Sequence, residues 1–131
     1  MLSLPDNGVY YHAPATHPAC ATGNLRCISV DLARLRTLRG ALRKLAGGLA
    51  FPAWFGHNLD ALFDCLTDPE GFAAADTLLT LSGLHSLAKA DPAACAALLE
   101  VLRAASDSLR DEKRRCIILI DSPLADLAPL P

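Results

Sequence analysis

Two aspartates four residues apart, Asp60 and Asp64, are the leading candidates for functional side chains in this sequence. Paired carboxylates can act as a general acid and base, but that role needs a cleft and a further acid, base or metal ligand, and no such set converges here. The segment between Leu45 and Ala88 contains no lysine or arginine, so no cation nearby in the sequence relieves the two charges. We interpret the pair as a negative surface for a positive partner, with an ordinary solvated helix face as the alternative.

Aromatic residues stand shortly before the two aspartates. Trp54 and Phe55 occupy a loop bounded by Pro52 and Gly56. An exposed tryptophan is a typical interface anchor, whereas most aromatic side chains in a small domain belong to the core, so both roles stay open for Trp54. His57 follows the loop, at a place where a lone histidine is more often a surface residue than a base. This loop is therefore a candidate contact surface beside the acidic pair.

The other candidates for chemistry give weaker signals. Cys65 lies near the end of the segment that carries the acids, where a helix dipole disfavours a thiolate, so we expect a structural thiol. His12, His17 and Cys20 match no strong structural zinc spacing and lack a clear fourth ligand. The sequence contains no glycine-rich phosphate loop, no dinucleotide fingerprint and no serine nucleophile elbow. It therefore predicts no enzyme, no metal, no cofactor and no small-molecule substrate.

The composition indicates one globular domain. The chain has 131 residues, of which 52% are apolar and 20% charged, and its net charge is −2. Neither the charge balance nor a run of basic residues suggests nucleic-acid binding, and we expect no membrane span and no secretion signal. The cysteines are odd in number and widely spaced, which favours buried free thiols in a cytoplasmic protein. They are Cys20, Cys27, Cys65, Cys95 and Cys116.

The acidic pair is predicted to lie on a short helix. Asn58 is a good N-cap, and the helix is expected to run from about 59 to 66. At about 100° per residue, one side of this helix is apolar and the opposite side is polar. The apolar side gathers Leu59, Leu62, Phe63 and Leu66, and the polar side gathers Asp60, Asp64 and Thr67. Phe63 falls at the rim of the apolar side, where we expect it to pack and to be partly exposed.

Strand patterns alternate with helical patterns along the rest of the chain. The strands expected in the core are 25–30, 77–82 and 116–120. A leucine-rich helix is expected between a cap at Asp31 and the glycine pair at 47–48, and a longer helix after Asp91. Connections of this kind require a parallel sheet. We therefore predict a small α/β domain with three central parallel strands, and Val9–His12 as a possible extra N-terminal strand or arm.

The segment 54–67 resembles the signature of the barstar family, the intracellular inhibitors of barnase-type ribonucleases. The shared pattern is an aromatic pair, Gly-x-Asn-Leu-Asp-Ala-Leu, an aromatic residue and Asp-Cys-Leu-Thr, matched without a gap. A weaker resemblance covers about 25–121 and leaves an N-terminal arm at 1–23 and a tail at 122–131 outside it. The resemblance implies a single barstar-like domain over 1–131, with a small three-stranded parallel sheet and helices packed around it.

The resemblance also implies a mechanism. Members of the family press this loop and helix into the nuclease active site, where carboxylates take the place of RNA phosphates. Asp64 matches the principal acid of the family, Asp60 matches the supporting acid, and Trp54 stands where a tyrosine stacks on the nuclease. The implied partner is an extracellular-type or toxin ribonuclease with a basic active site, and this chain is the immunity protein, with no nucleic acid or membrane as a partner. The implied contact residues are Trp54, Phe55, Gly56, His57, Asn58, Asp60, Phe63, Asp64 and Thr67.

Four positions depart from the family pattern. Trp54 replaces the tyrosine, Phe63 replaces a tryptophan, and His57 replaces an acid of the family prototype. The acid that the prototype places on its long helix aligns with Ala104, and Asp107 lies one turn later. The centre of the site is kept and part of its rim is changed, which leaves the identity of the target nuclease open. A barstar-fold binding module for a different basic protein is the alternative.

Overall fold

A parallel sheet forms the centre of the protein. The computed structural model describes residues 6–11, 25–52, 56–122 and 128–129. The strands in these ranges are β1 (Gly8–Tyr11), β2 (Arg26–Asp31), β3 (Thr77–Ser82), β4 (Cys116–Ile120) and β5 (Ala128–Pro129). Their spatial order is β2-β3-β4-β1-β5, and each neighbouring pair runs parallel. The α/β class and the three expected parallel strands are confirmed as β2, β3 and β4, with β2 at the edge, and the extra N-terminal strand is present as β1 beside β4.

Helices make the connections between the central strands. The α-helices of the described ranges are α1 (Leu38–Gly48), α2 (Leu59–Leu66), α3 (His85–Ala90) and α4 (Pro92–Asp111), and a 3-10 turn covers Phe72–Ala74. Because parallel neighbours need crossovers, α1 and α2 fall between β2 and β3, and α3 and α4 fall between β3 and β4. No helix in the described part of the chain is long and apolar enough to cross a membrane.

The core lies mainly between the sheet and its helices. Every residue of β4 is buried, as its continuous apolar sequence predicts. Ile118 and Ile120 belong to the large cluster that includes the helices, whereas Ile117, Leu119 and Leu78 form a smaller cluster on the opposite face. This alternation follows from the two-residue period of a strand. The larger cluster is the surface on which α2 rests.

The start of α1 differs from the prediction. Asp31 does not cap this helix, because it is the last residue of β2 and its Oδ1 accepts the amide of Ala33 at 2.9 Å. Arg34 follows with a φ of 69°, a left-handed conformation that interrupts any helix from position 32. The cap is Thr37, whose Oγ1 accepts the amide of Gly40 at 3.0 Å. The leucine periodicity therefore started the predicted helix about two turns too early.

A buried asparagine fixes the N-terminal segment to the rest of the fold. Asn7 is 6% exposed, and its Nδ2 donates to the carbonyl oxygens of Ser106 at 3.0 Å and Arg114 at 2.8 Å. The amide of Cys116 donates to Asn7 Oδ1 at 2.9 Å. One side chain thus satisfies two buried backbone groups and a half-buried one near the connection from α4 to β4, and it positions β1 against β4.

Among the cysteines in the described ranges, one differs from the prediction. Cys65, Cys95 and Cys116 are buried and free, as expected. Cys27 is exposed on the edge strand β2 and is disulfide-bonded, so the expectation of a buried free thiol is wrong there. The period of the strand explains the exposure, because the side chain points away from the core that holds Val30. Burial raises the pKa of the Cys116 thiol to about 12, which keeps that thiol neutral.

Candidate functional site

Helix α2 carries the acidic pair, and its start is set by a side-chain cap. Asn58 has an extended backbone with a φ of −133°, and its Oδ1 accepts the amide of Ala61 at 2.8 Å. The helix ends at Thr67, whose Oγ1 donates to the carbonyl of Phe63 at 2.8 Å. Both the cap and the span 59–66 are confirmed. A helix of eight residues is too short to persist alone, so its orientation depends on packing.

The two faces of α2 are separated as the sequence predicts. Leu62 and Leu66 are 0% exposed and belong to the large core cluster, while Phe63 is half-buried at its edge. Asp60 and Asp64 are exposed on the opposite side. They lie one turn apart, about 5.4 Å along the helix axis. Because the apolar side is held by the core, both carboxylates are presented to solvent from one rigid element.

The loop that precedes α2 has an unusual backbone conformation at His57, the residue before the cap. His57 has a φ of 51°, in the left-handed region that residues other than glycine rarely occupy. The carbonyl of Gly56 accepts Asn58 Nδ2 at 3.4 Å, so the cap side chain also contacts the loop. Gly56 is exposed and His57 is half-buried. Trp54 and Phe55, which the sequence placed in the contact set, lie outside the described residues.

A groove of about 590 Å³ separates α2 from α4 and contains Asp60 on one wall. It brings together residues far apart in sequence, including Ala104, which aligns with the further acid of the family prototype, and Asp107, which lies one turn later. Asp107 is exposed and lies 3.4 Å from Arg110, one turn further along α4. Its carboxylate therefore already has a cation beside it. The residues of this groove are Leu59, Asp60, Phe63, Glu100, Val101, Arg103, Ala104 and Asp107.

A second groove, of about 620 Å³, lies between the start of α1 and the start of α2. Its walls include Arg39 from α1 together with His57 and Asp60. Although the sequence between Leu45 and Ala88 contains no lysine or arginine, the surface around Asp60 therefore does contain arginine side chains. Arg39 on one side and Arg103 on the other share grooves with Asp60. Sequence reasoning missed both arginines, because only the tertiary packing of three helices brings them to the acid.

The remaining acids of the segment have different surroundings. Asp76 lies 3.2 Å from the guanidinium of Arg114 and also accepts the amide of Arg115 at 3.0 Å. Asp68 folds back on its own turn, where its Oδ1 accepts the amide of Glu70 at 3.0 Å. These bonds tie Asp76 to the end of α4 and Asp68 to the turn after α2. Asp60 and Asp64 remain the acids on the exposed face of α2.

The alternatives based on other chemistry receive no support from the described residues. Cys65 is 2% exposed, and burial, followed by the charges of Asp64 and Asp68, raises the pKa of its thiol. A raised pKa opposes the thiolate that a nucleophile needs. In the ranges described, no group of three His, Cys, Asp or Glu side chains is placed to hold a metal ion. His12, His17 and Cys20 lie outside those ranges.

Comparisons with known proteins agree with the geometry. A family model described as Barstar (barnase inhibitor) matches residues 25–121, which is most of the chain. The matched region begins just before β2 and ends just after β4, so it includes β2, β3, β4 and the four α-helices of the described ranges. A search of curated proteins found no match.

Proposed function

Since the chain belongs to the barstar family, we propose that it is a stoichiometric protein inhibitor of a barnase-type ribonuclease. The observation that carries the proposal is the exposed pair Asp60 and Asp64 on a capped helix whose opposite side is held by the core. A ribonuclease active site is basic because it binds phosphates, and two carboxylates on a rigid element can occupy such a site in their place. The protein supplies no reaction in this scheme.

The proposed contact divides into a centre and a rim. Asp64 is the central acid and Asp60 supports it, while Gly56 and Asn58 set the entry of the helix. Trp54, Phe55 and His57 extend the contact from the loop, and Phe63 and Thr67 extend it along the helix. Charges that are desolvated against cations of the nuclease should dominate the affinity, because hydrogen bonds between charged groups are stronger than those between neutral groups.

We propose the cytoplasm of the nuclease-producing cell as the place of action, where the protein serves as an immunity protein. In a reducing compartment the disulfide of Cys27 is expected to be open. The core does not depend on this bond, because Cys27 is exposed on the edge strand β2. Loss of the disulfide should therefore leave the face of α2 unchanged.

A second candidate is a barstar-fold module that binds a different basic protein. Ala104 favours it, since this exposed position on the wall of the α2–α4 groove lacks the acid that the family pattern places there. Arg39 and Arg103 favour it too. They place positive charge on both sides of Asp60, so a matching partner needs neutral or acidic groups opposite them.

A titration separates the two candidates. Barnase is held at a fixed concentration well above the expected dissociation constant, the protein is added in steps, and cleavage of a fluorogenic RNA substrate is recorded. An inhibitor of barnase-type ribonucleases abolishes cleavage at one equivalent. If cleavage persists at several equivalents, the inhibitor proposal fails for barnase, and a panel of other basic nucleases and non-nuclease proteins then tests the second candidate.

A further inference from the structure

The chain contains a basic segment followed directly by an acidic segment, although its net charge is only −2. Residues 32–59 contain five arginines and lysines and no aspartate or glutamate, whereas residues 60–76 contain five acids and no arginine or lysine. The basic residues are Arg34, Arg36, Arg39, Arg43 and Lys44. They do not form a continuous run of basic residues, which is the usual sequence signal of a nucleic-acid site. Their arrangement in space is different.

All five cations are exposed, on α1 and on the turn that precedes it. Ala41, Leu42 and Leu45 hold the other side of α1 in the core. At about 100° per residue, Arg39, Arg43 and Lys44 fall within one outward arc. A shallow groove of about 540 Å³ runs along this arc and is lined by Leu35, Gly40, Arg43, Lys44, Gly47 and Gly48. The glycines keep side chains off its floor, so an extended polymer can approach the backbone.

The charges of this face are not neutralised within the part of the protein that the structure describes. The ion pairs there join Asp107 to Arg110 and Asp76 to Arg114, both near the end of α4. Arg39 shares a groove with Asp60, but none of the five cations of the α1 face has a carboxylate within ion-pair distance in the described ranges. Five mutually repelling cations in eleven positions cost stability unless an external anion relieves them.

We propose that the α1 face binds the phosphate backbone of single-stranded RNA. Four of its five cations are arginines, whose planar guanidinium groups match phosphate oxygens. Helix α1 carries Arg39, Arg43 and Lys44, and the preceding turn adds Arg34 and Arg36, so four or five phosphates can each meet one cation. The binding is independent of base sequence, because residues 33–48 contain no aromatic side chain on which a base could stack.

Two other occupants suit the face less well. An anionic membrane normally takes up large apolar or aromatic side chains beside the cations, and the exposed positions of 33–48 hold only Ala, Arg, Thr, Lys and Gly. The acidic segment of a second copy is a weaker match, since Asp76 is already paired with Arg114 and the exposed acids of α2 are only two, one helical turn apart. A uniform polyanion fits the row of cations best. This proposal does not rest on the inhibitor proposal, because it concerns α1 and not the exposed side of α2.

Fluorescence anisotropy with a labelled 20-nucleotide oligouridylate tests the proposal. The slope of log affinity against log salt should be about −0.7 per phosphate contacted, so four or five contacts predict a loss of roughly 50- to 130-fold in affinity between 50 and 200 mM salt. The triple variant Arg36→Gln/Arg43→Gln/Lys44→Gln should reduce the slope by about 2 and weaken binding at 50 mM salt at least tenfold. The doubly substituted Arg36→Lys/Arg43→Lys should keep most of the slope.

A matched control removes the same number of charges elsewhere. Lys89→Gln/Lys113→Gln/Arg115→Gln changes three exposed positions on α3 and on the turn between α4 and β4, and it should leave the slope within about half a unit of that of the wild type. Thermal unfolding of each variant verifies that it is folded. The proposal is overturned if the wild type does not bind oligouridylate at 50 mM salt, or if the control triple weakens binding as much as the α1 triple. Binding to phosphatidylserine vesicles without RNA binding, or self-association in place of it, also overturns it.

Discussion

The side chain of Asn58 accepts the backbone amide of Ala61 at 2.8 Å, and this hydrogen bond determines the residue at which α2 begins. Each residue of helix turns the chain by about 100°, so the acids lie opposite the buried leucines wherever the first turn is helical, and the cap makes the turn that contains Asp60 helical. Asp60 and Asp64 face solvent because the leucines on the opposite side of α2 are buried in the core and the cap holds the first turn in a helical conformation. The proposed binding face is therefore a consequence of the cap as well as of the acids.

Removing the cap should weaken both the fold and the site. We expect Asn58→Ala to lower the free energy of unfolding by about 1 kcal/mol, since the amide of Ala61 loses its partner. Asn58→Ser retains an oxygen that can accept this hydrogen bond and should lose much less. Urea unfolding of the three proteins measures the difference. Equal stability of the Ala and Ser variants would contradict the role assigned to the cap.

Two glycines should respond in opposite ways to alanine. Gly83 has a φ of 75°, and a Cβ there would lie 2.4 Å from the amide nitrogen of Ala33. Gly83→Ala is therefore expected to cost more than about 2 kcal/mol, because strain adds to the clash. A Cβ at Gly47 would meet no atom within 4 Å, and Gly47→Ala should stabilise α1 by about 0.5–1 kcal/mol. Thermal and urea unfolding should show the two shifts with opposite signs.

The N-terminal strand should depend on Asn7. Asn7→Ala leaves the buried carbonyl of Ser106, the half-buried carbonyl of Arg114 and the buried amide of Cys116 without this partner, which should cost about 1–3 kcal/mol. The nearby Tyr10→Phe is a suitable control, since its hydroxyl donates to the exposed carbonyl of Asp6 and its loss should change stability by at most about 0.5 kcal/mol. Equilibrium unfolding compares the two. A smaller loss for Asn7→Ala than for Tyr10→Phe would refute the docking role of Asn7.

Alkaline pH should destabilise the protein through Cys116. Burial raises the pKa of this thiol from an ordinary value of 9.0 to about 12. Between these values the unfolded chain loses the proton and the folded protein keeps it, so stability is complete below pH 9 and falls as the pH rises toward 12. The slope from this group is at most about 1.4 kcal/mol per pH unit. Urea unfolding at pH 8, 9, 10 and 11 should show a shallower decline for Cys116→Ala than for the wild type, and parallel curves would argue against it.

Patterns local in sequence predicted most of the fold. The span of α2, its cap and the burial of β4 follow from the period of the apolar residues and from one asparagine, and the structure has all three. The start of α1 was missed because leucines at helical spacing continue through 32 and 35, although Arg34 has a left-handed backbone. Periodicity reports which residues are apolar, but it does not report where β2 must end to pair with β3.

The surroundings of the acids could not be predicted in the same way. Arg39 and Arg103 share grooves with Asp60, yet they lie 21 and 43 residues from it in sequence. Their positions depend on how α1 and α4 pack beside α2, which a single sequence does not reveal. Asp76 likewise lies in the stretch without lysine or arginine, yet it pairs with Arg114, which follows 38 residues later. Charge along the chain and charge over the surface are different quantities.

The central claim is that Asp64 is the energetic centre of an inhibitory surface, and its most direct test is the dissociation constant of the barnase complex for two alanine variants. Asp64→Ala should bind roughly 10- to 150-fold more weakly, since a hydrogen bond to a charged group contributes about 1.5–3 kcal/mol. Asp107→Ala is the matched control, because its carboxylate already lies 3.4 Å from Arg110, and it should weaken binding less than about threefold. Both variants should unfold at the urea concentration of the wild type, since both side chains are exposed. Equal and small losses for the two variants would contradict the claim.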